Sequence, residues 1–158
     1  MKFNYLFLGI LLSVSVFVAG CTSTPTITGT SNVNGDPIPT ITNSSEVIKV
    51  EIIHFHRTYQ CYSCITMGAY AEETVNTYFA DEVASGKVSF AHLNAELPEN
   101  QELVNKYGVT GASLWLGVYT DGGNFSAEQN IDVWFKIDDK ESYMDYLKGV
   151  IEQKLAGN

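Results

Sequence analysis

The spacing Cys61-Tyr62-Ser63-Cys64 constrains this chain more than any other feature of its sequence. A run rich in β-branched and aromatic residues, from Val47 to His56, precedes it, and a segment of helical character begins at about Tyr62. This order predicts a strand and then a helix with two thiols at its N-terminus. Unpaired backbone N–H groups and the helix dipole favour a thiolate there, and the thiolate is the species that attacks a disulfide. We therefore expect Cys61 to attack and Cys64 to resolve the mixed disulfide, with their own disulfide as the redox group and no separate cofactor.

The first 20 residues predict an export signal. The stretch from Tyr5 to Ala19 is almost wholly apolar; it is short for a membrane span of ~20 residues but typical of a signal peptide. Its end, Val18-Ala19-Gly20-Cys21, resembles the lipobox of prokaryotic lipoproteins, in which the cysteine carries diacylglycerol and becomes the mature N-terminus. The resemblance implies a lipidated Cys21 and a domain on the extracytoplasmic face of the cell membrane. An uncleaved N-terminal anchor is the alternative.

Residues 21–46 are predicted to be a disordered tether. They are rich in Ser, Thr, Pro and Gly and contain no aromatic residue, so they cannot bury enough apolar surface to offset their ordering entropy. Residues 47–158 are then predicted to form one domain. Because lipidation would use Cys21, only Cys61 and Cys64 remain, and two cysteines so close in sequence cannot supply a structural disulfide framework.

The net charge of −9 excludes some partners. Nucleic acid phosphates and anionic lipid headgroups repel an acidic chain, so we expect no nucleic-acid binding and contact with the membrane through the lipid alone. We interpret the acidity as a source of general solubility rather than as recognition of a charged partner.

Seven elements are predicted in the order β-α-β-α-β-β-α. The strands are expected at 47–56, 88–93, 113–120 and 131–137, and the first two helices are expected to end at Gly86 and Gly108. Pro98 is expected to start the second helix. Asp138 and Glu141 predict a capping box at the start of the third helix. An apolar stripe on that last helix is predicted to face the core: Tyr143, Leu147, Val150, Ile151 and Leu155.

Two further segments carry a resemblance to a known superfamily. Val88-Ser-Phe-Ala-His-Leu-Asn94 resembles the second core strand of thioredoxins, and Lys106-Tyr-Gly-Val-Thr-Gly111 resembles the run before their third. The domain therefore resembles the thioredoxin superfamily from about Val47 to Leu155. This resemblance implies an α/β fold with a central sheet flanked by helices.

Among such proteins the chain resembles short prokaryotic lipoproteins or secreted domains described as a subunit of a nitrophenyl-compound nitroreductase. Nitro reduction needs a flavin, a similar cofactor or a metal. No glycine-rich dinucleotide fingerprint or other flavin signal is visible in the sequence. That activity is therefore not expected of this chain.

Ser113 stands where thioredoxins have a cis-proline beside the cysteines. The resemblance implies that the loop containing Ala112 and Ser113 lies next to the cysteine pair. A cis bond before a non-proline residue costs ~3 kcal/mol, so we expect the Ala112–Ser113 bond to be trans.

The resemblance also implies a proton acceptor for Cys64 on the first strand, where thioredoxins carry a buried acid. An ungapped alignment puts Phe55 there, between His54 and His56, whose side chains should point to the opposite face of the sheet. A one-residue bulge would bring in His56, and His92 replaces the lysine that usually partners the acid. We expect His92 or His56 to move the proton, because imidazole titrates near neutrality. We expect His54 to be a core residue.

Side chains near the cysteines have further expected roles. Arg57, four residues before Cys61, is expected to stabilise the thiolate, although a solvated arginine is the alternative. Tyr59 and Tyr62 are expected to form an apolar apron for a protein substrate. Trp115, on a predicted strand, is expected to pack in the core.

Three functions remain open from the sequence. The first is a thiol–disulfide oxidoreductase that acts on protein thiols or disulfides and is recharged by a membrane thiol-transporting electron donor. The reductase direction is preferred, because a lipid-anchored domain of this kind resembles periplasmic reducing modules. The second is a zinc or copper site built from Cys61, Cys64, His56 and His92. The third is a non-catalytic adaptor that holds a larger redox enzyme at the membrane.

Overall fold

Residues 45–158 are described by the computed structural model, so the predicted signal peptide, Cys21 and the tether up to residue 44 lie outside the described residues. The strands are β1 (Val47–His56), β2 (Val88–Asn94), β3 (Ser113–Thr120) and β4 (Phe125–Asn130). The helices are α1 (Tyr62–Tyr78), α2 (Ala80–Ser85), α3 (Gln101–Tyr107) and α4 (Lys140–Leu155), with 3₁₀ turns at Pro98–Asn100 and Asp132–Lys136. Among the helices of this described region, none has the length and apolar character needed to cross a membrane.

One sheet with the strand order β2-β1-β3-β4 forms the centre of the domain. β1 and β2 are parallel, and since parallel neighbours need a long crossover, α1 and α2 supply it. β3 runs antiparallel to β1 and continues into β4 through a hairpin. The α/β class with helices flanking a central sheet is thus confirmed, and the topology is thioredoxin-like.

The side chains of β1 alternate between two cores. Val50 and Ile52 pack in the larger core, with buried residues of α1 and α4. Ile53 and Phe55 pack on the opposite face with Tyr107 of α3. β1 is therefore buried on both faces, which explains why its sequence reads as a nearly continuous apolar run.

The fourth strand predicted at 131–137 is wrong. The hairpin after β3 is tight, so pairing resumes at Phe125, and β4 is a polar edge strand whose backbone pairs with β3. An edge strand exposed to water needs little apolar patterning, which is why the sequence did not mark it. Most of this segment instead forms the 3₁₀ turn Asp132–Lys136, in which Val133 is buried and Phe135 is 83% exposed. Ile137, directly after the turn, is also buried.

The predicted capping box of the last helix is also wrong by one residue. The backbone becomes extended only at Asp139 (φ −131°, ψ 100°), and the Asp139 carboxylate accepts the N–H of Ser142 at 3.0 Å. The apolar face of α4 lies where the sequence predicts it. Three of its residues are buried, namely Tyr143, Leu147 and Ile151. Val150 and Leu155 are half-buried.

The first predicted helix is interrupted at Phe79, where the backbone leaves the helical region and the ring is buried in the core. The prediction that two helices end at glycine residues is confirmed. Gly86 and Gly108 have φ values of 79° and 71°, which are left-handed conformations that a glycine adopts without steric cost.

Gly68 allows α1 to approach the sheet closely. A Cβ atom at this position would clash with Nδ1 of His54 and would lie 2.8 Å from Cε1 of His92. Glycine inside a helix costs about 1 kcal/mol relative to alanine, so its use here reflects the lack of space. The two imidazoles on β1 and β2 thus set how closely α1 packs.

We expect Gly68→Ala to lower the free energy of unfolding by about 1–3 kcal/mol, because overpacking outweighs the gain in helix propensity. The measurement is urea unfolding of the full chain. Gly149→Ala is the matched control, since Gly149 lies within α4 and its Cβ would meet no atom within 4 Å. That control should gain up to about 1 kcal/mol. Equal gains in both variants would contradict the packing argument.

Candidate active site

Cys61 is the N-cap residue of α1. Its backbone is extended (φ −77°, ψ 163°), and its Sγ accepts the backbone N–H of Cys64 at 3.3 Å. The two Sγ atoms are 2.6 Å apart, within reach of a disulfide bond, which is about 2.05 Å long. No acidic residue lies in the first turn of α1, so its N–H groups and dipole act on the thiol without a competing anion.

The two thiols differ in acidity. The pKa of Cys61 lies below its ordinary value, chiefly because the Cys64 thiol donates a hydrogen bond to its sulfur and then because backbone N–H groups do so. The pKa of Cys64 lies above its ordinary value, first because of burial and then because of the contact with Cys61. Cys61 is exposed and Cys64 is half-buried. The pair therefore has an accessible nucleophile beside a protonated second thiol.

The loop before the cysteines is tied to the end of β2. The Glu96 carboxylate accepts the N–H of Thr58 at 3.0 Å, and Asn94 donates to Thr58 Oγ1, also at 3.0 Å. The N–H of Thr58, then its side chain and the charge of Arg57, lower the pKa of Glu96. Because β2 fixes both partners, the loop holds Cys61 at a defined distance from the sheet.

Arg57 lies in this loop and is exposed. Its Nε is 3.7 Å from Oε1 of Glu96. Within residues 45–158, Arg57 makes no hydrogen bond or ion pair with either cysteine. Its expected role as a thiolate stabiliser stays a prediction without a contact behind it.

Exposed apolar side chains surround Cys61. Tyr59 is 93% exposed and Tyr62 is 80% exposed, so the two residues of the predicted apron are open to a partner. Ile65 is also exposed and follows Cys64 directly, a feature that the sequence analysis missed. Three large exposed apolar side chains thus lie within four residues of Cys61 in the sequence.

The loop at Ser113 is fixed by its own hydroxyl. Ser113 Oγ donates to the carbonyl of Gly111 at 2.8 Å and accepts Nε1–H of Trp115 at 2.9 Å. The described residues contain no cis peptide bond, so Ala112–Ser113 is trans. Trp115 packs against the core around Tyr107, where the sequence predicts it.

The side chains of His54, His92 and Glu72 form a series of polar contacts. His54 on β1 is only 1% exposed, and its Nδ1 lies 2.9 Å from Nδ1 of His92 on β2. His92 Nε2 lies 3.3 Å from the Glu72 carboxylate on α1. Burial, and then the neighbouring His92 and His56, lower the pKa of His54 to about 4. His54 is buried as predicted, but it is part of a polar array that reaches the surface.

β1 contains no bulge near these histidines. Its register with β2 is continuous from Val50 to His56, and Phe55 faces the α3 side. His56 stays on the face of His54, with ring centroids 5.6 Å apart, and its Nδ1–H donates to the carbonyl of Arg57 at 2.9 Å. The residue that pairs with His92 is therefore His54. Neither the aligned Phe55 nor a bulged His56 takes that place.

The metal-site alternative is not supported by geometry. Across residues 45–158, no three or more His, Cys, Asp or Glu side chains form a group that could hold a metal ion. The four proposed ligands Cys61, Cys64, His56 and His92 are therefore not assembled into a site.

Besides Ile65, two residues that shape this site were not predicted from the sequence. Gly68 carries a signal, because a glycine inside a helical pattern often marks a close approach. Glu72 has no such signal in the sequence, because acidic residues are common on exposed helix faces. Only the folded structure shows its contact with His92.

Comparisons with known proteins give structural neighbours alone. The Trx4 domain of ERdj5 is similar at 16% sequence identity and a TM-score of 0.44, over 67% of this chain and 82% of that domain. Oxidized thioredoxin O2 from Arabidopsis thaliana is similar at 18% identity and a TM-score of 0.41, over 67% of this chain and 75% of that one. No model of a known protein family and no curated protein matches the chain. The thioredoxin-like assignment rests on the sheet order and on the position of the cysteines after β1.

We expect Cys64→Ala to raise the pKa of Cys61, because it removes the thiol that donates to the Cys61 sulfur. Cys64→Ser is the matched control, since its hydroxyl can still donate. The measurement is the pH dependence of Cys61 alkylation by iodoacetamide, in the full chain carrying Cys21→Ser. Cys64→Ala should show a higher midpoint than Cys64→Ser. Coincident midpoints would mean that the backbone N–H groups alone set the acidity.

Proposed function

We propose that this protein is a membrane-anchored, extracytoplasmic thiol–disulfide oxidoreductase that reduces protein disulfides. The observation that carries the proposal is the asymmetry of the cysteine pair. An exposed Cys61 with a lowered pKa lies 2.6 Å from a half-buried Cys64 with a raised pKa. Nucleophilic attack and resolution need these two environments in this order.

The reaction transfers two electrons. The Cys61 thiolate attacks one sulfur of a substrate disulfide, forming a mixed disulfide and releasing the other substrate sulfur as a thiolate. Cys64 then loses its proton and attacks Cys61 Sγ, which forms the Cys61–Cys64 disulfide and releases the second substrate thiolate. The substrate disulfide is reduced and the protein dithiol is oxidised, so a donor must reduce the protein again.

Proteins are the proposed substrates because of the surface around Cys61. Tyr59, Tyr62 and Ile65 are each more than half exposed, and open apolar surface of this kind suits an extended or partly unfolded chain better than a small molecule. The recharging partner is proposed to be a membrane thiol-transporting protein, since an anchored domain would meet it in the same membrane.

Anchoring through Cys21 is proposed from the lipobox-like sequence Val18-Ala19-Gly20-Cys21. Two acyl chains hold a protein on a membrane stably, whereas one holds it only marginally. Fractionation of cells tests this point. Cys21→Ser should move the chain out of the membrane fraction, and retention in that fraction would contradict a lipid anchor.

The reduced full chain is expected to reduce insulin disulfides with a stoichiometry of one disulfide for each Cys61–Cys64 bond formed. Cys61→Ser should fall to the uncatalysed rate because it lacks the nucleophile. Cys64→Ser should stop at a mixed disulfide with insulin, visible as a shifted band on a non-reducing gel. Each serine variant controls for the other, since both remove one thiol from the same turn. A Cys61→Ser variant that still reduces insulin at the wild-type rate would overturn the proposal.

A further inference from the structure

An open cavity of about 300 Å³ lies directly beside the cysteine pair. Its wall includes Gln60, the residue before Cys61, and Ile65, the residue after Cys64. The rest of the wall comes from β1, from β2 and from the exposed side of α1. A substrate that is bound to Cys61 therefore has this cavity next to it.

Two side chains of the wall present hydrogen-bond acceptors. His56 Nδ1 lies 2.9 Å from the carbonyl of Arg57, and since a carbonyl only accepts, Nδ1 carries the hydrogen. In the neutral ring, His56 Nε2 is then a lone pair. Glu72 adds a carboxylate, and its side chain is 51% exposed. The cavity can therefore accept hydrogen bonds from both sides of its mouth.

His54 is a third acceptor in the wall. The Glu72 carboxylate fixes the hydrogen of His92 on Nε2, at 3.3 Å, so His92 Nδ1 accepts. His54 Nδ1 must then donate across the 2.9 Å contact, which leaves its Nε2 as a lone pair in the neutral ring. This atom is enclosed and has no hydrogen-bond partner among residues 45–158, although buried polar atoms are usually paired. A residue of the cavity wall thus holds an acceptor without a donor.

The negative charge of the wall is not compensated by a basic side chain. Among the described residues that line the cavity, none is a lysine or an arginine. Glu73, the next acid of α1, pairs with Lys140 at 2.6 Å. Within residues 45–158, the one polar side chain that contacts Glu72 is His92, and a neutral imidazole leaves the charge of the carboxylate in place.

A ligand for this wall must donate several hydrogen bonds and carry positive charge. A lysine ammonium has three donors, an arginine guanidinium has five, and neither accepts. Ile65 and Ala69 offer apolar surface to the methylene stem of either side chain. Because the cavity is open, the cation keeps part of its hydration and avoids the full cost of burying a charge.

A bare metal ion fits the cavity less well than a basic side chain does. Across the described part of the chain, no three His, Cys, Asp or Glu side chains form a group that could hold a metal. An ammonium or guanidinium group does not need such a group, because it spreads its hydrogen bonds over separate acceptors.

We propose that this cavity binds a lysine or arginine side chain of the protein substrate, next to the disulfide that Cys61 attacks. The inference rests on the proposed function and deepens it, because it names the substrate class: chains with a basic residue near a disulfide. Glu72 and His56 contact the cation, and His92 is a positioning residue that holds the Glu72 carboxylate. The sequence analysis interpreted the acidity of the chain as general solubility; the cavity gives one acid a local role.

Matched peptide disulfides test the proposal. Each substrate is a peptide homodimer joined by one cysteine, with lysine at one of the four positions within two residues of that cysteine, or glutamine at the same position. The reduced full chain carrying Cys21→Ser is mixed with each peptide, and the release of peptide thiol is followed by acid quenching and chromatography. The readout is the ratio of the lysine to the glutamine rate constant. An intrinsic effect of lysine on the peptide disulfide is the same for every protein variant, so it cancels when variants are compared.

In the wild type, lysine at one or more positions is expected to raise the rate constant about 3- to 10-fold, the range for a partly exposed, hydrogen-bonded ion pair. Arginine should act in the same way. If the wild type reduces neither peptide of a pair, the proposed function itself is wrong. If it reduces both at equal rates at all four positions, the cation site is wrong and the proposed function stands.

Two substitutions of Glu72 test whether the preference arises in the cavity. Glu72→Gln should remove most of the lysine preference. Glu72→Lys should reverse it, so that a peptide with glutamate at the same position reacts faster than its lysine counterpart. Because the side chain is half exposed, neither substitution disturbs the core.

Glu73→Gln is the matched control. Glu73 is the neighbouring acid on α1, is similarly exposed and does not line the cavity, so its substitution removes the same charge outside the site. It should keep the wild-type ratio. If Glu72→Gln and Glu73→Gln give the same ratio, the preference comes from the overall charge of the chain and the proposed site is wrong.

A binding measurement that does not depend on activity uses ¹⁵N NMR of the three histidine rings. In the oxidised full chain carrying Cys21→Ser at neutral pH, we expect hydrogen on Nδ1 of His54 and His56 and on Nε2 of His92. Nα-acetyl-lysine amide should shift the Nε2 signal of His56 saturably. Nα-acetyl-norleucine amide has the same methylene stem without the ammonium group and should not. Hydrogen on Nε2 of His56, or equal responses to the two compounds, would overturn the proposal.

Discussion

The packing of two imidazoles against the bare backbone of Gly68 is the contact on which the site depends. His54 and His92 lie on adjacent parallel strands, and α1 is the crossover that joins those strands. The helix can come this close only because position 68 has no side chain. The cysteines stand at the start of the same helix, so the histidine pair contacts the helix that carries the thiols. The central strand is buried on both faces, and His54 lies within it with its Nδ1 bonded to His92, while its Nε2 has no partner among the described residues.

The start of α1 gives the two thiols different acidities. Backbone N–H groups reach the sulfur of Cys61, which is exposed, while Cys64 lies in the first turn and is half-buried. The loop before Cys61 is held by Glu96, which follows β2, so the segment that leads into the cysteines is tied to the end of that strand. A nucleophile that is ready to attack and a second thiol that must first lose its proton follow from these positions.

The sequence predicts correctly those elements that have strong periodicity and a local stop signal. Its predictions fail where tertiary contacts determine the structure. β1 and the apolar face of α4 are found as predicted, because each depends on its own side-chain pattern. β4 was missed because an edge strand pairs through its backbone and needs no apolar signature. The cysteine pair was found from spacing alone. The contact between His54 and His92 was not, because it depends on strand register, and the contact of His92 with Glu72 depends on helix packing.

The measurement that tests the central claim most directly is a redox titration of the full chain carrying Cys21→Ser. The protein is equilibrated in thiol–disulfide buffers of graded potential, free thiols are trapped with an alkylating mass tag, and bound metal is assayed in the same sample. A reversible two-electron transition of Cys61 and Cys64 near about −270 mV, the range of thioredoxin, is the predicted result. A transition near about −120 mV would contradict the reductase direction. Thiols that resist oxidation while a stoichiometric metal stays bound would contradict a redox role for the pair.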